Sequence, residues 1–239
     1  AFMDLAILLQ TLGRTEEARQ ILKNAVQLRR DFSVVHGNGT GRHLLAFVTE
    51  GDFMANTPLD FLLAGSNCVL LLRYVNLEVT EITDLPDHDV AFMAIGESTE
   101  NAPLLAHMQK LLAGFDGLVM NRNPELIAGL TRDGVSATLA GEPSILSPST
   151  HRVSRDDLAA IGAGAKQLND CAQGLTFPLV VRPISTHAGN GMELIAGPAE
   201  LAAFFAGPTA STTSSASSSS TARHSPATWR FRTTGSCTI

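Results

Sequence analysis

The 239 residues contain only three cysteines. Cys68, Cys171 and Cys237 are far apart and odd in number, so neither a disulfide framework nor a zinc site follows from them. Positive charge is also scarce. Seventeen Lys and Arg stand against 23 Asp and Glu, giving a net charge of −6, which argues against a general nucleic-acid binder. No apolar stretch approaches the length needed to cross a bilayer, and the opening residues lack the pattern of a secretory signal. The expectation is a cytoplasmic protein. The chain opens on Ala1 rather than Met, so a missing natural beginning is also expected. What remains is ordinary: 44% hydrophobic and 17% charged residues, long enough for one or two domains with a core of their own.

The composition divides the chain into three parts. Residues 1–32 are rich in Leu, Ala, Gln, Glu and Arg and read as helices. Residues 43–206 mix β-branched runs, helical patterns and turn signals. Between them, Gly37-Asn38-Gly39-Thr40-Gly41 reads as a flexible connector. From 207 onward there is no Asp or Glu, and more than half of the residues are Ser or Thr. Such a tail buries too little apolar surface to offset its ordering entropy and is expected to be disordered.

In the helical start, Leu5, Leu8, Leu9 and Leu12 share a helical face and Gly13 ends the helix. Thr15 is placed to cap a second helix, with Glu16 and Glu17 favouring its positive end. Ala18, Ile21, Leu22, Ala25 and Leu28 form the second apolar stripe. The run Leu-Leu-x-x-Leu-Gly-Arg-x-x-Glu-Ala, from Leu8 to Ala18, resembles the core of a tetratricopeptide repeat. That resemblance implies the last repeat of a peptide-binding array. The alternative is a helical hairpin packed on the next domain.

The middle alternates. Leu44–Thr49, Val69–Val75, His88–Ile95 and Gly117–Met120 read as strands. A short helix after Pro58, with Thr57 as its cap, and a longer one from Pro103 to Ala113 fall between them. Strand and helix in alternation predict a largely parallel sheet covered on both faces, with ligands gathering beyond the carboxyl ends of the strands. Glu50, Asp52, Tyr74, Glu97, Asn121 and Arg122 are the polar residues at those ends. Each taken singly is expected to cap a helix or satisfy a turn.

Further on, Pro124–Leu130 and Arg155–Gly162 read as helices and Ile145–Thr150 as extended. Phe177-Pro178-Leu179-Val180-Val181-Arg182-Pro183 reads as a buried strand with a cation at its end. The small-residue loop Ile184–Gly191 then turns back into Met192-Glu193-Leu194-Ile195. Such a loop lets backbone N–H groups approach phosphate oxygens, and Arg182 supplies the opposing charge.

This strand and hairpin resemble the phosphate-covering element of ATP-grasp enzymes, with Arg182 where the family usually has Lys. The upstream α/β unit is similar to a pre-ATP-grasp domain. Asn121-Arg122-Asn123-Pro124 with Thr131-Arg132-Asp133 resembles the junction to the nucleotide-binding half. The chain thus resembles proteins joining tetratricopeptide repeats to a RimK-like ATP-grasp module. The implied fold is α/β: a helical hairpin at 1–36, a parallel-sheet pre-ATP-grasp domain at 43–122, a partial ATP-grasp lobe at 123–206, and the tail. The resemblance implies ATP as ligand, with Arg182 on the phosphates, Arg132 as a second cation, and His187, Gly189 and Gly191 in the loop over them. It also implies Mg²⁺, whose acidic ligands the family places after the Gly-rich loop. Here nothing acidic follows Glu200, so the metal-binding half is expected to be missing.

Ser218-Ser219-Ser220-Thr221-Ala222-Arg223 has an encoding that reads Leu-Ile-Asp-Gly-Thr in a shifted frame, and Ala227-Thr228-Trp229 can conceal Cys-His-Leu. The tail is therefore read as an out-of-frame translation of the lost half, against a genuine Ser/Thr-rich segment. Two functions compete. One is an ATP-dependent carboxylate–amine ligase or a truncated remnant of one. The other is a non-catalytic interaction module whose helices bind a peptide or protein partner. A dinucleotide-binding dehydrogenase is disfavoured, because Glu50-Gly51-Asp52-Phe53-Met54 stands where Gly-x-Gly-x-x-Gly would be needed.

Overall fold

The computed structural model describes residues 1–184, 191–206 and 236–238, which fall into two compact units, Ala1–Thr131 and Arg132–Ile239. The described residues are mixed α/β, with eight α-helices and a mostly parallel five-stranded sheet.

The first unit holds α1 (Phe2–Thr11), α2 (Thr15–Leu28), β1 (Asp31–Val35), β2 (His43–Val48), α3 (Leu59–Leu63), β3 (Val69–Tyr74), β4 (Val90–Met93), α4 (Ala102–Ala113), β5 (Val119–Met120) and α5 (Pro124–Ala128). Its sheet order is β1-β3-β2-β4-β5, with β1 antiparallel to β3 and the other neighbours parallel. β2 lies at the centre, and its unbroken Leu-Leu-Ala-Phe-Val run suits a strand covered on both faces. Alternate residues go to opposite sides. Leu45 and Phe47, with Ala91 and Met93 of β4, meet Leu104, Leu105, Met108 and Leu112 of α4. Ala46 and Val48 face the other way, with Ala6 of α1 and Leu22 and Val26 of α2. Each fully buried Leu, Val, Phe or Met side chain among these contributes about 1.5–3 kcal/mol.

The helical hairpin is thus one layer of this unit, and several local expectations change with it. Ala6 and Leu9 are the buried residues of α1, whereas Leu5, Leu8 and Leu12 are exposed. The small Ala6 and Ala18 allow close packing, so the inner face is rotated from the all-leucine one. Thr15 is the first residue of α2 rather than its side-chain cap, and Pro58, not Thr57, precedes α3. Residues 31–35, inside the stretch 1–36 expected to be a helical hairpin, instead form β1, which pairs antiparallel with β3 and is tied to it where Arg73 binds Asp31 in a two-pronged ion pair at 2.5 and 3.0 Å. The expected connector at 37–41 is a fixed turn. Gly41 N donates to Asn67 O at 2.7 Å, and a Cβ at Gly37 (φ +55°) would lie 2.2 Å from Asn67 Oδ1. The unit runs to Thr131, with Ile127 and Ala128 packed on its core.

The second unit holds α6 (Arg132–Leu139), β6 (Arg152–Ser154), α7 (Arg155–Gly162), a 3₁₀ turn (Leu168–Asp170), β7 (Leu179–Pro183), β8 (Glu193–Ile195), α8 (Pro198–Ala206) and β9 (Ser236–Thr238). Its sheet order is β6-β9-β7-β8, antiparallel throughout. Val153, Leu158, Ile161, Leu179, Val181, Ile195 and Leu201 form its core. The Ser154 hydroxyl accepts from Asp157 N at 3.1 Å and caps α7. α7 and α8 meet closely at Gly162, where a Cβ would lie 2.8 Å from Ala202 N. Within the tail expected to be disordered, Ser236–Thr238 forms a strand, because β6 and β7 both present ladder groups to it. Residues 207–235, on which the shifted-frame reading rests, lie outside the described residues.

Candidate functional site

Connections leave β2 toward β3 on one side and return to β4 on the other, so the carboxyl ends of β2 and β4 mark the switch point of the first sheet. The chain laces this point with its own groups. Thr57 N donates to Ala94 O at 2.7 Å and Gly96 N to Ala55 O at 2.9 Å. Asn101 Nδ2 donates to Gly96 O at 2.9 Å and to Ala55 O at 3.2 Å.

The polar strand-end residues mostly serve the fold. Asp52 Oδ1 accepts from Met54 N at 2.8 Å, and Asn121 holds a left-handed φ of +56°. The Arg122 guanidinium donates to the carbonyls of Leu112, Phe115 and Gly117, closing the carboxyl end of α4. Glu97 is half-buried beyond β4. Glu50 and Tyr74 are electrostatically coupled. Burial pushes the Glu50 carboxyl up and Glu78 adds to this, while Lys23 opposes it. Burial, then the Glu50 charge, pushes the Tyr74 hydroxyl up to about 12.

The second unit gathers cations. Arg182 is the penultimate residue of β7, and alternation places it on the same face as Val180, opposite the buried Leu179 and Val181. Val180 pairs across the strands with Leu194, and both are exposed. Burial, then the positive charge of Arg132 at the start of α6, depresses the Arg182 pKa. The two arginines singled out from the sequence therefore lie in each other's field. The strand and return strand pair as expected, with Leu179 opposite Ile195 and Val181 opposite Glu193. Gly191 is buried with φ +66°, where the chain enters the return strand. His187 and Gly189 lie outside the described residues.

Arg152 was not foreseen. It opens the three-residue strand β6, too short for its alternation to register in the sequence. Its guanidinium donates to Asp133 Oδ1 at 3.2 Å.

Two guanidiniums suit an anionic phosphate chain. Among the described residues no group of three or more His, Cys, Asp or Glu could hold a metal ion, so no Mg²⁺ ligand set is assigned. No helix among the described residues is long and apolar enough to cross a membrane. No protein-family model matches the chain, and no curated protein matches it.

Proposed function

We propose that the second unit binds ATP in the manner of an ATP-grasp lobe, in a chain related to ATP-dependent carboxylate–amine ligases. The observation that carries this reading is the position of Arg182 near the tip of β7, antiparallel to β8, with the charge of Arg132 felt there. The outer face bearing Arg182 also exposes Val180 and Leu194, an apolar bed of the kind a nucleotide base stacks on. Bidentate N–H groups of Arg182 and Arg132 would hold and orient phosphate oxygens. Mg²⁺ would supply charge neutralisation when bound, and no residue here is assigned to it. The reading is ATP binding alone, because no Asp or Glu follows Glu200, where the family places its metal ligands.

The test is calorimetric titration of the intact chain with ATP, with and without Mg²⁺. Saturable binding weakened about tenfold or more by Arg182→Ala supports the reading. Binding unaffected by that change, or no binding, contradicts it.

A further inference from the structure

Thr238 of β9 pairs with Arg152 of β6 on one side and with Arg182 of β7 on the other. Residues directly opposed in an antiparallel ladder share a face. Val153 and Val181, one position along each strand, are turned to the core. Arg152 and Arg182 are therefore placed together on the outer face, in one row, with backbones two strand spacings (about 9.5 Å) apart.

The row is tied to α6. Asp133 receives the Arg152 guanidinium at 3.2 Å, and the preceding residue is Arg132, whose charge is felt at Arg182. Arg152 and Arg182 thus come from two strands onto one face, the charge of Arg132 at the start of α6 is felt at Arg182, and the Asp133 carboxylate positions Arg152. A row of this length matches a chain of linked phosphoryl groups, whose charges are themselves spaced out, rather than one phosphate.

We propose that Arg152 is a binding residue, forming with Arg182 a row that takes a phosphoanhydride chain of two or more phosphoryl groups. This rests on the nucleotide reading for the identity of the ligand, and on the ladder register for the row. The same chemistry is offered by a nucleoside triphosphate and by inorganic polyphosphate.

The experiment titrates the full chain and its Arg152→Ala, Arg152→Lys and Arg182→Ala variants with ATP, AMP and inorganic tripolyphosphate. Arg152→Ala is expected to weaken ATP and tripolyphosphate about tenfold while leaving AMP unchanged, with Arg152→Lys intermediate. Tripolyphosphate binding that needs Arg152, without any ATP binding, upholds the row and overturns the nucleotide reading. ATP binding lost in Arg182→Ala but unchanged in Arg152→Ala overturns the row alone. Where Arg152→Ala loses its near-ultraviolet circular dichroism, Arg152→Lys decides, and wild-type ATP affinity in that variant overturns the row. Failure of both anions to bind overturns both proposals.

Discussion

Asn56 and Thr49 hydrogen-bond each other twice: Thr49 N donates to Asn56 Oδ1 and Asn56 Nδ2 donates to Thr49 O, each at 2.8 Å. The side-chain amide takes the part of a neighbouring strand just where β2 ends, and it fixes the loop that crosses the switch point. Asn56→Ala should lower unfolding free energy by about 1–3 kcal/mol, because buried Thr49 loses the partners of its N–H and carbonyl. Asn56→Asp should also destabilise, since it retains an acceptor but no donor. Urea denaturation measures both, and equal midpoints for Asn56→Ala and wild type would refute the account.

Glu50 gives the stability a definite pH slope. Its carboxyl pKa is raised in the folded state by burial and then by Glu78, against Lys23, so the folded chain binds this proton more tightly than the unfolded one. The Glu50 contribution therefore falls as pH rises through the carboxylate range and stays low above it. Glu50→Gln should raise stability at pH 7 by about 0.5 kcal/mol, discounted for screening of a partly exposed group. The gain should vanish below about pH 4, where the carboxyl is protonated in both states. Thermal melts of both proteins across pH 3–8 check the sign.

Arg122 reads in the sequence as a strand-end residue and acts as the cap of α4. Removing it leaves three carbonyls without this donor. Arg122→Ala should cost about 1–2 kcal/mol, and Arg122→Lys should recover only part, because an ammonium cannot reproduce the planar fork. Nucleotide affinity should be unchanged by either variant.

Gly162 tests the packing of the second unit. A methyl group there meets the backbone of Ala202 at 2.8 Å, which has no flexible end to move aside. Gly162→Ala should destabilise by about 1–3 kcal/mol, despite the better helix propensity of alanine. A neutral or stabilising result in chemical denaturation would show that α7 and α8 are packed less closely.

What was legible in the sequence was whatever rests on long apolar runs. β2 and β3 announce themselves in Leu-Leu-Ala-Phe-Val and Val-Leu-Leu-Leu, and β7 in Leu-Val-Val, because buried strands need continuous hydrophobicity. β1 is not legible, since it follows Arg29 and Arg30, opens on Asp31 and is held by long-range pairing with β3 that includes the Asp31–Arg73 ion pair. β6 and β9 have three residues each and become strands only through long-range pairing, β6 with β9 and β9 also with β7. The inner face of α1 shares Leu9 with the leucine stripe read from the sequence, but tertiary contact selects Ala6 over the other leucines around it. Among the candidate site residues, Arg182 and Arg132 are read from the resemblance, while Arg152 depends on a register that no local pattern encodes.

The central claim is that the Arg182 strand tip of the second unit receives the phosphates of ATP. Isothermal calorimetry of the intact chain at high protein concentration tests it most directly. The account predicts saturable one-to-one ATP binding that weakens about tenfold in Arg182→Ala, with folding intact by circular dichroism. No heat of binding, or the same affinity in Arg182→Ala, would contradict it.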